Sequence, residues 1–412
     1  MLRVLIVGGG LGGLCLAHGL QQAGVSVAVY ERDATPISRH QGYRIHIDTR
    51  GASGLRACLP SNLYELFTAT ASRPGRHVTV LNKQLKVMRK IGSLEMGNSK
   101  PDSFSAAVDR LTLREVLLNG LEDALHFHKD FHHYEQQTDG SVHAYFADGT
   151  EASGDVLVAA DGVNSRIRQQ FLATATSSDT GMSCIYGKTL LNEATRPLIP
   201  GALHDGFTVV AGLQPFNMAL GLVDFQRTPA EASAELAPAI QFHTSGAYLM
   251  WSLNAARAQF AASDQELFQM DGAQLQQIVA KKIKSWHPDL RLLVAASDSA
   301  EIFPIAVRVA VPCEPWQSTS ITFLGDAIHA MSPAGGSGAN MALQDARLLC
   351  QALISVARGE QALVPAIHAY EARMLTDGFA AVNFSARGGV FNADAKQKRS
   401  WFQNIFNFAS RA

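Results

Sequence analysis

The chain opens on an unbroken apolar run, Leu2–Val7, as a parallel strand buried on both faces requires. A glycine-rich turn, Gly8–Gly13, follows it. Leu11–Ala23 then carries apolar residues at helical spacing, and Gly24 stands where a helix C-terminal glycine belongs. Val25–Tyr30 is a second apolar run, which completes a βαβ unit.

Tyr43–Ile47 reads as a further strand, and helical spacing returns over Arg50–Leu59 and Leu63–Ala69. Two β-rich stretches between Arg76 and Lys90 flank Asn82–Lys83 as a hairpin would. Leu111–Glu122 is helical, with Asp109 placed as its N-cap. Phe131–Gln136 and Val142–Phe146 flank an Asp139–Gly140 turn, a second hairpin pattern. Asp155–Ala159 reads as a buried strand. From about Ser178 to Asn254 strand-like runs dominate: Met182–Leu191, Phe207–Leu213, Met218–Phe225 and Ala247–Leu253. Helical patterns return at Gly272–Trp286, Gly338–Arg358 and Val364–Ala386, with a short apolar strand at Ser320–Leu324 between the first two. Strand clusters thus alternate with α/β segments, so the nucleotide-binding unit is expected to be discontinuous in sequence.

Composition narrows the picture little. The 412 residues are 47% hydrophobic with a formal net charge of −1, and no basic stripe suggests a nucleic-acid partner. No apolar run is long enough for a membrane span. Leu2–Val7 already reads as a strand, without a cleavage pattern, so no signal peptide is expected. Five scattered cysteines without a C-x-x-C pair fit buried thiols in the cytoplasm.

The chemistry is concentrated in short motifs. Gly8, Gly10 and Gly13 form a G-x-G-x-x-G frame between a strand and a helix, with Leu11 and Gly12 inside it. One glycine permits the tight turn, one lets backbone approach a pyrophosphate, and one lets helix pack on strand. The helix N-terminus then offers free N–H groups to the phosphates. Glu31 ends the second strand, at the offset of an acid that accepts from ribose hydroxyls, and Arg32 beside it reaches the adenosine side. By itself this pattern says only that a dinucleotide is bound.

Two later stretches carry a family resemblance. Ala160-Asp161-Gly162-Val163-Asn164-Ser165-Arg166-Ile167-Arg168 resembles the D-G-x-x-S-x-x-R motif of class A flavin monooxygenases. Gly325-Asp326-Ala327-Ile328-His329, with Pro333, Gly336, Gly338, Asn340 and Asp345, resembles that family's G-D-A-x-H…P…G-x-G-x-N…D motif. With the N-terminal turn, all three motifs of the p-hydroxybenzoate hydroxylase-like superfamily stand in its order and spacing. That superfamily includes tetracycline-inactivating and aromatic-polyketide hydroxylases.

The resemblance implies FAD as cofactor and NADPH or NADH as transient reductant. It implies that Asp326 hydrogen-bonds the ribityl chain, and that glycines after Pro333 let backbone pass the flavin ring. The helix from Gly338 and Ala339 would aim N–H groups at the ring's pyrimidine edge. Asp161 and Arg168 would bridge the FAD side and the nicotinamide path. Arg110, with Leu113, matches an R-x-x-L segment that contacts FAD, with Arg114 as its rival. The implied activity is hydroxylation of an aromatic or polycyclic, polyketide-like small molecule through a flavin hydroperoxide. A flavin oxidoreductase of the same fold without oxygen insertion (dehydrogenase, reductase or halogenase) is the alternative, although the halogenase W-x-W-x-I-P sequence is absent. No metal site is expected. His329 reads as a core histidine or a catalytic one, and Asp345 as a structural or capping acid or a catalytic one.

The catalytic residue stays open. Arg44 and His46 are the candidates for a base, on a strand that in this family runs near flavin and substrate. Phe207, Phe216, Met218, Phe225, Met250 and Trp251 offer apolar surface that is either core or pocket wall. The aromatic tail, with Trp401, Phe402, Phe406 and Phe408, resembles a C-terminal helix bordering the site, or serves as a docked helix or dimer contact; monomer and homodimer both stay open. The expected fold is α/β: a Rossmann-like, three-layer FAD-binding domain over 1–72, 101–177 and 290–362. An antiparallel β substrate domain is inserted over 73–100 and 178–289, and C-terminal helices fill 363–412.

Overall fold

The computed structural model describes residues 1–35, 38, 42–73, 75, 77–92, 103–211, 215–243 and 246–387. The aromatic tail around Trp401 and Phe406 lies outside the described residues.

A five-stranded parallel sheet forms around the first strand. Its order is Ile321–Phe323, Val156–Ala159, Arg3–Val7, Ser26–Tyr30 and Leu125–His126. Val4, Leu5 and Ile6 have no exposed surface, which is why the run is apolar without alternation. Helices Leu11–Gln22, Thr49–Cys58 and Gly338–Ala357 pack together over one face. The other face carries an antiparallel meander, Phe131–Gln136, Val142–Phe146 and Glu151–Gly154. The three layers are therefore helix, parallel sheet and meander.

The second sheet has seven strands. Their order is Phe303–Ala310, Ser177–Leu190, Tyr248–Ala256, Asn217–Val223, Gly206–Val210, His77–Leu81 and Val87–Ile91. Two expectations need correction here. The sheet is mixed, because Gly206–Val210 runs parallel to His77–Leu81. Phe303–Ala310 also belongs to it, as the antiparallel partner of Ser177–Leu190, although 290–362 was expected to be nucleotide-binding. Pro304 lies in that strand, and a sheet accepts proline at an edge.

Alternation along this sheet divides two environments. Leu249, Trp251 and Leu253 are buried with Phe216, Met218 and helices Gly272–Lys282 and Pro288–Ala295. The Trp251 indole N–H donates to Ser297 Oγ at 2.8 Å. Met250, Ser252 and Asn254 face the opposite way, into a cavity. A two-stranded link, Arg44–Asp48 with Ser105–Asp109, lies between the sheets. Helix Arg110–Leu118 follows it directly, and Asp109 Oδ1 caps it by accepting from Thr112 N at 2.7 Å.

Candidate active site

One cavity of about 940 Å³ runs from the glycine turn, past the link strand, to the open face of the seven-stranded sheet. At its first end the turn is held by backbone crowding. Gly8 has φ +113°, and a Cβ there would lie 2.2 Å from Ala160 O. A Cβ at Gly13 would lie 2.3 Å from Gly8 O. Gly10 differs: a Cβ there would meet nothing within 4 Å, since the residue fronts the cavity. The three glycines thus divide into two that close the turn and one that keeps space for a ligand.

Glu31 ties the turn to the second strand. Its carboxylate accepts from Gly9 N at 2.7 Å and from Asp33 N at 2.9 Å, and it also lines the cavity with Arg32. Arg114 does not line the cavity. It is buried, donates to Gly9 O at 3.2 Å and lies 3.6 Å from Glu31 Oε2. Of the two rivals, Arg110 is the one on the cavity wall.

Asp161 and Gly162 reach the cavity where the chain leaves Val156–Ala159. Asp161 Oδ2 accepts from Arg166 N at 3.0 Å, while its Oδ1 is buried without a partner. Burial pushes its pKa up, against hydrogen bonds from Ser165 and Arg166. Arg168 points elsewhere. Its guanidinium donates to the carbonyls of Ala175, Val163 and Ala327, so it braces this loop against the next motif. A bridge from Arg168 to nicotinamide has no support in that placement.

The third motif builds the middle of the cavity. Gly325, Asp326, Pro333, Gly336, Gly338 and Ala339 all line it. Asp326 opens to the cavity yet is walled in by protein, and desolvation raises its pKa against the pull of His329 and Arg110. Behind the loop, Asp345 Oδ2 accepts from His329 Nε2 at 2.6 Å and from Gly325 N at 2.9 Å. Burial works against a charge on His329, but Asp345 and Asp326 outweigh it and its pKa rises. Asn340, like Arg168, is a brace. It donates to His46 O at 2.8 Å and Gly336 O at 3.1 Å, and accepts from Asp48 N at 2.9 Å. It fastens the link strand to the loop and is not on the cavity wall.

This cavity fits a flavin dinucleotide. The helix Gly338–Ala357 starts at Ser337 without a side-chain cap, so its first N–H groups are left for a ligand at the cavity edge. Gly10 leaves open space at another helix start, and Asp161 and Asp326 line the same cavity. We expect Asp326→Ala to weaken FAD binding about tenfold, the effect of losing one charged hydrogen bond. Flavin fluorescence titration checks this, and an unchanged affinity would remove Asp326 from the flavin contacts.

Several wall residues carry no motif. Lys129, Asp130 and Phe131 border the turn end, while Tyr186, Asn217 and Ser252 border the sheet end. Only period-two alternation marked the latter, and it left open which parity faces the cavity. Phe207 and Met250 prove to be wall; Phe216, Met218 and Trp251 are core. Phe225 packs with Tyr43 and Tyr248 beside the link strand.

The parallel sheet, its glycine turn and the two later loops define a flavin-binding protein whose cavity continues to the open face of the seven-stranded sheet. Residues 1–385 match the FAD binding domain family, and the chain belongs to that family of class A flavin monooxygenases, with FAD as cofactor. It is 31% identical, over 97% of its length, to a dual O-methyltransferase/FAD-dependent monooxygenase of Cercospora beticola, covering 46% of that protein. The chain spans less than half the length of the fungal dual-function relatives it matches. A solved structure from Photorhabdus luminescens subsp. laumondii TTO1 has a TM-score of 0.79. It is 32% identical, with 97% of this chain and 100% of that chain covered. The 6-hydroxynicotinate 3-monooxygenase of Pseudomonas fluorescens is 24% identical over 89% of this chain and 86% of its own.

Proposed function

We propose that the protein is an NAD(P)H-consuming, FAD-dependent monooxygenase that hydroxylates an aromatic or polycyclic small molecule. The observation that carries this is the continuity of the cavity. It joins a dinucleotide cradle to a sheet face bearing Tyr186, Phe207 and Met250. The nicotinate-hydroxylating relative supports an aromatic substrate.

When bound, FAD supplies the redox chemistry, taking hydride from NADPH or NADH and activating O₂ for transfer to an electron-rich carbon. The chain holds and shields. Asp326 would hold the ribityl hydroxyls, and the uncapped N–H groups at Gly338 and Ala339 would favour negative charge on the ring. The seven-stranded sheet forms the wall at the far end, on the side from which water must be kept off the ring. The two candidate bases on the link strand, His46 and Arg44, are both shifted down by burial. Burial, then Arg44, holds His46 down to about 4, while burial lowers Arg44 only to about 10, so it stays charged at neutral pH. The five free cysteines fit action in a reducing compartment, the cytoplasm. No helix among the described residues is long and apolar enough to cross a membrane.

The test is oxidation of NADPH and NADH by the yellow holoprotein, with and without a panel of phenols and polyketides under ¹⁸O₂. Substrate-stimulated oxidation with one labelled oxygen in the product is the expected result. A product oxidised without label would replace hydroxylation with simple dehydrogenation.

A further inference from the structure

Arg44 is the one charged side chain of the link strand that lines the cavity on the side of the seven-stranded sheet. Its surroundings are built to hold it there. A Cβ at Gly221 would lie 2.5 Å from Arg44 Cδ and 3.0 Å from its Nε, so only glycine leaves the side chain its path across the sheet. The guanidinium carbon sits 5.3 Å from the centroid of the Phe207 ring, a cation–π support from the other side. Clamped between sheet and ring, the guanidinium has little rotamer freedom left to lose on binding.

What it lacks is a counter-ion. Arg44 forms no ion pair with a carboxylate among the described residues, and its Nε is buried without a hydrogen-bond partner. The nearby acid is already engaged: Asp109 accepts from Tyr248 Oη at 2.7 Å and caps helix Arg110–Leu118. Another cation in this region, Lys188, is paired with Glu301 at 3.2 Å. On the sheet face the cavity wall supplies a phenol, a hydroxyl and an amide, from Tyr186, Ser252 and Asn254, while the carboxylates of the lining, Glu31, Asp130, Asp161 and Asp326, belong to the other elements of the cavity. Buried charges are ordinarily paired. A preformed guanidinium edge on the cavity wall is therefore complementary to an anion that the protein does not supply.

We infer that Arg44 is a specificity-determining residue that receives an ionised carboxylate on the aromatic substrate. Arginine presents its donors as a planar fork, which matches the two oxygens of a carboxylate better than a single phenolate oxygen. The inference rests on the proposed monooxygenase activity only for the word substrate; the anion site itself stands on the cavity geometry.

The experiment measures binding, not turnover. The FAD-loaded protein is titrated with 1-hydroxy-2-naphthoate, 1-hydroxy-2-naphthamide and 1-naphthol, following perturbation of the flavin absorbance. The acid is expected to bind at least about tenfold more tightly than the amide or the naphthol, the value of one charged hydrogen bond or more. Arg44→Gln removes that preference by weakening the acid alone, while Arg44→Lys, which keeps the charge without the fork, retains part of it. Unchanged far-UV circular dichroism and amide affinity show that the variants fold. Equal binding of acid and amide by the unmodified protein overturns the inference, as does a preference that survives in Arg44→Gln. Saturable binding by no acid does the same, and tightest binding of the naphthol would assign the site to a phenolate. If acids bind through Arg44 but no labelled oxygen enters any product, the site stands and the proposed activity falls. Labelled products from neutral rings only give the reverse.

Discussion

Replacing Asp345 with alanine is expected to cost about 3–5 kcal/mol of stability, the loss seen when one partner of a buried ion pair is removed. Asp345 is fully buried and its Oδ2 holds two donors, His329 Nε2 and Gly325 N. Alanine leaves both unpaired, at the point where the chain turns from strand Ile321–Phe323 into the loop beginning at Asp326. A Cβ at Gly378 would lie 2.4 Å from His329 Cδ2, so the imidazole is packed too tightly to swing toward another acceptor. The effect carries a pH sign. His329 has its folded pKa raised above 6.5. The stability from its protonation is fully present below pH 6.5 and is lost as pH rises through the raised folded value. The gap between native protein and variant is therefore larger at pH 6 than at pH 9. Urea unfolding at both pH values measures it. A gap below about 1 kcal/mol at pH 6, the scale of an ordinary neutral hydrogen bond, would show that the pair is dispensable.

Gly8→Ala and Gly10→Ala are expected to fail in opposite ways, although both change the same turn by one methyl. At Gly8 the new Cβ would meet Ala160 O at 2.2 Å, on a backbone held at φ +113°. Both the clash and the left-handed strain act on the folded state, and together they cost about 3 kcal/mol or more. Strands Arg3–Val7 and Val156–Ala159 would have to separate to relieve them. At Gly10 the methyl meets no protein atom within 4 Å, so stability is unchanged. It enters the cavity instead, where it takes space from the pyrophosphate, and FAD affinity falls. Thermal melting of FAD-stripped protein and FAD titration separate the two. A Gly10→Ala protein with native FAD affinity would move the pyrophosphate away from Gly10.

These outcomes trace back to features that differ in how far the chain declares them. The strand–turn–helix at the N-terminus is legible because backbone geometry there admits only glycine at particular steps. The Asp109 cap was legible for a similar reason, since an acid before a helix has one favourable use. Strand Phe303–Ala310 was not legible, because Pro304 suppresses a strand pattern unless the strand is known to be an edge. The parallel pair between His77–Leu81 and Gly206–Val210 joins segments more than a hundred residues apart, and no local pattern encodes such a pairing. Arg114, Arg168 and Asn340 sit inside or beside family motifs, and in this structure they brace the walls of the cavity. Apart from the Glu31 and Asp33 carboxylates beside Arg114, the partners named for them are backbone atoms of Gly9, Ala175, Ala327, Val163, His46, Gly336 and Asp48, which sequence does not point to.

The seven-stranded sheet has one face in a packed core and the other on the cavity, with Trp251 and Met250 as neighbours of opposite fate. This sets how the protein can change over time. Substitutions at 250, 252 and 254 remodel the cavity face while leaving the packing of Trp251 against the helices in place, so new ligands are reachable in single steps. An inserted or deleted residue in Tyr248–Ala256 would turn Trp251 toward the ligand and Met250 toward the helices, exchanging the two faces at once. Variation in this sheet is therefore expected to run through side-chain replacement at constant strand length, and changes of length to be confined to the turns.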